Sequence, residues 1–493
     1  MRILTFCEAN GSDIAQRLGT PEYSYHFVLE AFHVALERIA DVQRIHSPAS
    51  EADAIWIACR ERGEECILLS FAPPHKTILG LRCPTIPVFA WEYPDLPVGS
   101  DEPSWRADPR NDWRNVLLQT QAAITLSNHT VDAARRSLGR LYPIEAIPTP
   151  LWEKFAPERE RGLLPPQRAG VEISLKTRLV DSYLLGLCAD GLITTHPDDG
   201  TPPDKETDAV LPTLSVTTER DWFVNIAPAS DGELRPEQPF PITGMPPIDA
   251  GWEVPPLYDV HTVLAGVVYT AVLTPSDGRK NWEDLITAFG WAFRDVADAT
   301  LVLKLGGPKQ DRHHLQMLML LTKLSPMKCR IIALHGYLDE ADYSQLIGAS
   351  TYYVNASLCE GLCMPLMEFL CSGVPAIAPD HTSMADYIDR DFAFVVDSTP
   401  GLPALWPHGD HQVDRTSRHQ INWHSLMNAY RQSYIVAKTD PVTYATMSAH
   451  ALSRMRDYCA VDIIAEKLKA FLSARLNDVF RDVGQAAAMS PAR

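Results

Sequence analysis

Two acidic residues, Glu360 and Glu368, sit in the stretch CEGLCMPLMEFLCSGVPAIAP (residues 359–379), with a glycine turn and a proline between them. Pro365 suits the first position of a helix, where its missing N–H costs nothing. Gly373 suits the stop of the same helix. Glu368 then lies about one turn inside, and Glu360 on the loop before it. The turn Gly361, Leu362, Cys363 and Met364 has backbone N–H groups free to hold an anion such as a phosphate. Glu368 can accept hydrogen bonds from a diol, and a ribose 2′,3′-diol is a natural partner. The bland alternative for both carboxylates is a solvated helix face.

A second group lies upstream. TPSDGRKNWEDLI places Arg279 and Lys280 between a strand end and a helix start. Two cations beside a helix N-terminus can neutralise a diphosphate leaving group. Read by themselves they also fit a solvated helix start. In FAWEYPDLP, Trp91, Glu92 and Tyr93 end a predicted strand. Aromatic faces stack on sugars and a carboxylate binds hydroxyls, so the three either line an acceptor site or pack into a core.

These groups need elements to hold them. From residue 1 to about 150, short apolar runs (RILTF, CILLSF, TIPVFAWEY, AAITLSN) alternate with longer periodic stretches such as YSYHFVLEAFHVALERI. Strands alternating with helices imply a parallel sheet covered on both faces. The same rhythm returns after residue 262, in TVLAGVVYTAVLTP, NWEDLITAFGWAFRDV, ATLVLKLGG, LMLLTKL, RIIALHG, LDEADYSQLIGAS and TYYVNAS. Between them the chain is crowded with proline, and only EISLKTRLVDSYLLGLCADGLI and ERDWFVNIA carry a structural pattern. The expected organisation is an α/β domain at 1–152, an insertion or inter-domain segment at 153–262, and a second α/β domain at 263–440. Terminal helices packing on that second domain and a loose tail beginning at Gly484 fill 441–493. Two parallel sheets facing one crevice place ligands at the carboxyl ends of their strands.

Composition narrows the function. The chain has 493 residues, 46% apolar and 22% charged, which is ordinary globular content. A formal charge of −18 argues against nucleic acid as the main partner, because phosphate binding relies on clustered Lys and Arg. RRSLGR (135–140) is a local basic patch that meets an anionic membrane surface or is a solvated helix end. The ten cysteines form no C-x-x-C pair and read as buried apolar residues in a reducing compartment. MRILTFCEA reads as a first strand and not as a signal peptide, and no apolar run reaches the roughly 18 residues of a membrane span. A cytoplasmic protein is expected, with peripheral contact at the inner face of the membrane as the further option.

The segment EGLCMPLMEFLCSGVPAIAP resembles the E-x7-E signature of retaining glycosyltransferases with the GT-B fold, of the family 4-like kind that builds bacterial polysaccharides. The likeness extends over residues 266–400 and takes in RKNWEDLITAF, LHGYLDEADYSQLIGAS and HTSMADYI. It implies two Rossmann-like domains and a nucleoside-diphosphate sugar as co-substrate. It also implies a glycan or lipid-linked glycan acceptor, and no metal or other cofactor. By resemblance, Glu360 contacts hydroxyls of the donor sugar, Glu368 the donor ribose, and Lys280 the diphosphate. The backbone of Gly361 to Met364, and of His381 to Ser383, approaches the phosphates and sugar. Arg279 directly precedes Lys280, whereas many members carry an Arg several residues earlier. Gly11 and Gly19 stand where the family has a glycine pair after the first strand, and Gly11 is counted toward acceptor binding. Some members use a first-lobe His near the reacting carbon, and His26 and His129 are the candidates. The rival readings are a non-catalytic scaffold that keeps the nucleotide-sugar pocket, and a sugar-nucleotide epimerase or hydrolase.

Overall fold

The computed structural model describes residues 1–9, 23–99, 103–162, 170–187, 258–307, 310–405 and 416–488. Gly11, Gly19 and ERDWFVNIA lie outside them. Six short segments form the first sheet: β1 (Arg2–Phe6), β2 (Asp41–Arg44), β3 (Cys66–Phe71), β4 (Thr85–Phe89), β5 (Ala123–Thr125) and β6 (Ile144–Ala146); all but the polar β2, DVQR, carry buried apolar residues. They run parallel in the order β2-β1-β3-β4-β5-β6. Every residue of β3, CILLSF, is buried, as expected for a strand covered on both faces.

The second sheet contains β7 (Val171–Asp181), β8 (Tyr258–Leu264), β9 (Val267–Leu273), β10 (Ala299–Leu305), β11 (Arg330–His335), β12 (Tyr352–Val354), β13 (Ala376–Ala378) and β14 (Ala393–Val395). Its six parallel strands lie in the order β11-β10-β9-β12-β13-β14. That is the doubly wound Rossmann order, which reverses direction between the first and fourth strands. The chain is therefore α/β, with two Rossmann-like sheets.

The structure differs from the sequence reading in four places. β7 and β8 pair antiparallel with each other, and β7 pairs antiparallel with β11, so the stretch read as an insertion contributes edge strands to the second sheet. TVLAGVVYTAVLTP is two strands, because the chain turns at Gly266 with φ +71°. A Cβ at Gly266 would lie 1.8 Å from the Asp298 carbonyl oxygen, so glycine is the residue that this turn accepts. The terminal helices also divide their packing. Pro441–Cys459 packs on the helix Met364–Cys371, whereas Val461–Ala488 packs on the helix Tyr23–Glu37 of the first lobe. The last helix also runs past Gly484, into the stretch expected to be loose.

One hydrophobic core joins the lobes. Phe32, Phe89 and Trp91 belong to the same buried cluster as Leu362, Leu366, Met384 and Leu468. Asp386 of the second lobe accepts a 2.8 Å hydrogen bond from the backbone N–H of Asn128, at the start of the helix Asn128–Leu138 in the first. Gly361 comes so close to the first lobe that a Cβ there would sit 3.1 Å from both the Ala90 Cβ and the Trp91 backbone nitrogen. Gly361→Ala is expected to cost about 1–3 kcal/mol through overpacking. A lower thermal midpoint checks this, and an unchanged midpoint contradicts the close approach.

Candidate functional site

The strand order of the second sheet places its switch point between β9 and β12, so the loops leaving those two strands flank the crevice. The loop after β9 carries Arg279 and Lys280 in a short 3-10 turn, which the Asp277 carboxylate caps by accepting from the Arg279 N–H at 3.4 Å. The loop after β12 carries Glu360. A 2.7 Å hydrogen bond from the Leu358 N–H to the Arg279 carbonyl ties the two loops together.

Their side chains meet. The Lys280 Nζ lies 2.6 Å from Glu360 Oε1, and an Arg279 guanidinium nitrogen lies 2.8 Å from Glu360 Oε2. The Glu360 side chain is 3% exposed. Burial works to raise its pKa, but Lys280 and Arg279 overcome this and hold it at about 2. The Arg279 Nε also contacts Asp277 at 2.9 Å and Glu92, from the loop after β4, at 3.2 Å. Thus two cations face three carboxylates, and one of the three comes from the first lobe.

A second cluster surrounds Glu368, on the helix Met364–Cys371. The Tyr343 hydroxyl donates to Glu368 Oε2 at 2.7 Å. Burial raises the Glu368 pKa, with Lys154 and Lys304 acting against it. Lys304 is itself buried on β10. Desolvation lowers its pKa to about 8, with partial opposition from Glu368. Two carboxylates that could both have been solvated are buried and held by polar neighbours.

The other expected residues are distributed as follows. Gly361 lies against Ala90 and Trp91. The Leu362 carbonyl accepts from the Tyr387 hydroxyl at 2.9 Å. Cys363 precedes the helix with a left-handed φ of +61°, and Met364 is its first residue. Ser383 donates its N–H to the Glu360 carbonyl at 3.2 Å, and its buried hydroxyl has no partner among the described residues. Trp91 and Tyr93 are buried core residues. The Trp91 indole donates to the Asp95 carbonyl, and its ring packs 4.7 Å from that of Trp113 and 5.2 Å from that of Tyr93. Of the FAWEY aromatic group only Glu92 reaches the cation cluster. The His129 Nε2 lies 3.1 Å from the Glu92 carbonyl, which puts His129 beside the site. His26 faces Glu30 on its own helix. In the basic patch, Arg135 and Arg136 donate to the carbonyls of Ile144 and Pro94, so both close loops.

Sequence reasoning missed Asp277, Tyr343, Lys304 and a stack of His381 on His419. Lys304 was detectable as a lone charge in the apolar run ATLVLKL. His419 gave no signal, since only folding of the hairpin β15 (Ser398–Ala404) and β16 (Thr416–Ile421) brings it to His381. Among the described residues no group of three or more His, Cys, Asp or Glu is placed to hold a metal ion, and no helix is long and apolar enough to cross a membrane.

No protein-family model matches the chain, and no curated protein matches it. Solved structures similar to it include Anabaena HepE in complex with UDP, at 12% identity over 96% of this chain and 99% of that one, with a TM-score of 0.46. Sucrose-phosphate synthase from Thermosynechococcus elongatus is similar at 12% identity over 98% and 99%, with a TM-score of 0.47. A glycosyltransferase from Rickettsia africae is similar at 11% over 95% and 97%, also at 0.47. At such identities and scores, function has to be read from the site itself.

Lys304 gives a pH test of the second cluster. Its folded pKa of about 8 lies below the ordinary 10.5. The unfolded chain therefore binds more protons between those values, and stability rises with pH across that window. Lys304→Met is expected to be more stable than the parent by about 3 kcal/mol below pH 8. The gap should close toward pH 10.5 in denaturation series run at several pH values. A gap independent of pH contradicts the lowered pKa of the buried Lys304.

Proposed function

We propose that the chain is a retaining GT-B glycosyltransferase that moves a sugar from a nucleoside-diphosphate sugar to a hydroxyl of a glycan or lipid-linked glycan. The observation that carries this reading is the buried Glu360 carboxylate clasped by Lys280 and Arg279 at the switch point of the second sheet. Lys280 and Arg279 then have a diphosphate as their working partner, and the carboxylates hold them in place until it arrives. The N-terminus of the helix Met364–Cys371, in the stretch that follows Glu360, adds positive potential. Glu368, with Tyr343 behind it, takes the ribose diol.

In the reaction, the bond between the anomeric carbon and the diphosphate oxygen breaks as the acceptor oxygen bonds the same carbon from the same face. Negative charge grows on the departing phosphate, where Lys280 and Arg279 stabilise it. That phosphate oxygen accepts the proton lost by the acceptor hydroxyl. Protein cations supply the neutralising charge, so the reading requires no metal ion. Glu92 is the first-lobe group aimed at the cluster and is assigned to the acceptor side. Surface polysaccharide or lipopolysaccharide assembly, in the cytoplasm or at the inner face of the membrane, is the setting this chemistry suits.

Two tests follow. In a thermal-shift panel of UDP, GDP, dTDP and ADP, one nucleotide should stabilise the protein selectively, by about 2.7 kcal/mol at a hundredfold excess over Kd. Glu368→Ala should lose that shift. Failure of all four to stabilise well-folded protein contradicts the donor site. Once the donor is known, Lys280→Ala should lower kcat by about 100-fold or more, and near-normal turnover would remove Lys280 from the reaction.

A further inference from the structure

The loop leaving β13 contains a second recognition group beside Glu360, the imidazole of His381. The Thr382 hydroxyl donates to the His381 carbonyl at 2.8 Å, which leaves its oxygen with lone pairs alone to offer. It accepts from the Glu360 N–H at 3.0 Å and meets the His381 Nδ1 at 3.3 Å. Nδ1 therefore carries the ring proton, and Nε2 is a bare acceptor. Nε2 is buried and has no hydrogen-bond partner among the described residues. An unmatched polar atom in such a place costs about 1–3 kcal/mol, and the Ser383 hydroxyl in the same loop is unmatched too.

The ring is held in this state. It stacks on His419 with centroids 4.1 Å apart and planes 18° apart, and the His419 Nδ1 is anchored 3.1 Å from the Ser398 hydroxyl. Burial and then His419 push the His381 pKa down to about 3, so the imidazole is neutral at any working pH. A neutral nitrogen lone pair repels the oxygens of an ionised phosphate, which carry no proton. It welcomes a hydroxyl.

We propose that the His381 Nε2 accepts a hydrogen bond from a hydroxyl of the transferred sugar, making His381 a specificity residue that separates the sugar from the phosphates of the donor. This rests on the donor-site reading above and sharpens it. The Ser383 N–H bonds the Glu360 carbonyl, so His381 belongs to the Glu360 end of the site, apart from the Glu368 cluster assigned to the ribose. The sugar hydroxyl thereby completes a buried acceptor that the protein leaves open.

The experiment is calorimetric titration of wild type, His381→Phe and His381→Gln with UDP and UDP-glucose, dTDP and dTDP-glucose, ADP and ADP-glucose, and GDP and GDP-mannose. Phe keeps the stack and removes the acceptor, while Gln restores an acceptor oxygen. For the nucleotide that binds, His381→Phe should leave the diphosphate Kd within about twofold. It should weaken the sugar nucleotide by about tenfold, and His381→Gln should recover most of that loss. Equal weakening of diphosphate and sugar nucleotide would show a structural role and overturn the proposal, as would no weakening of either. Failure of wild type to bind any diphosphate overturns the donor site itself, which distinguishes the two failures.

Discussion

A carboxylate removed from water is costly, and the charge on Glu360 survives because Lys280 and Arg279 stand against both of its oxygens. Removing such a group from water costs several kcal/mol, which close contacts offset only where the geometry is good. That geometry comes from strand order. Because β9 and β12 are neighbours although β10 and β11 lie between them in the chain, the two loops that leave them arrive side by side. Arg279 and Lys280 come from one loop and Glu360 from the other. A stability argument alone gives no reason to retain this cluster, since apolar residues of similar volume often serve a core as well or better.

The lobes depend on the same point. Arg279 reaches across to Glu92, Gly361 admits Ala90 and Trp91, and Asp386 caps the helix beginning at Asn128. The chain also ties the lobes covalently in two passes, through the segment after β6 and through the last helix. The Arg159 guanidinium, in the first of these passes, lies 3.6 Å over the Trp152 ring and donates to the Cys371 carbonyl at the end of the Glu368 helix. This pass thereby contacts the C-terminal end of the helix that carries Glu368. The first-lobe contribution to the charged site is Glu92, and in the proposed donor site that contact is the one a diphosphate replaces.

Much of this was legible in the sequence, for identifiable reasons. Apolar runs of strand length separated by periodic stretches gave both sheets, and the Pro365 and Gly373 signals bracketed the helix that carries Glu368. Glu360, Arg279 and Lys280 were legible as residues, but their contact was not, because it depends on which strands become neighbours. The β7–β8 hairpin was obscured by the proline-rich stretch between its strands, although EISLKTRLV alternates as an edge strand does. Trp91 and Tyr93 stayed ambiguous, because an aromatic at a strand end looks the same in sequence whether it faces a cleft or a core; in the fold both are buried. The His381–His419 stack joins residues far apart in the chain, and neither has a spacing that announces it.

The central claim is that Lys280 and Arg279, held by Glu360, form the diphosphate end of a nucleotide-sugar site. Crystals grown with the nucleoside diphosphate that binds test it most directly. The account predicts density for the two phosphates within hydrogen-bond reach of Lys280 and Arg279, with the ribose against Glu368 and the Arg279–Glu92 contact broken. A nucleotide bound elsewhere, with Lys280 and Arg279 still closed on Glu360 and Glu92, would contradict it.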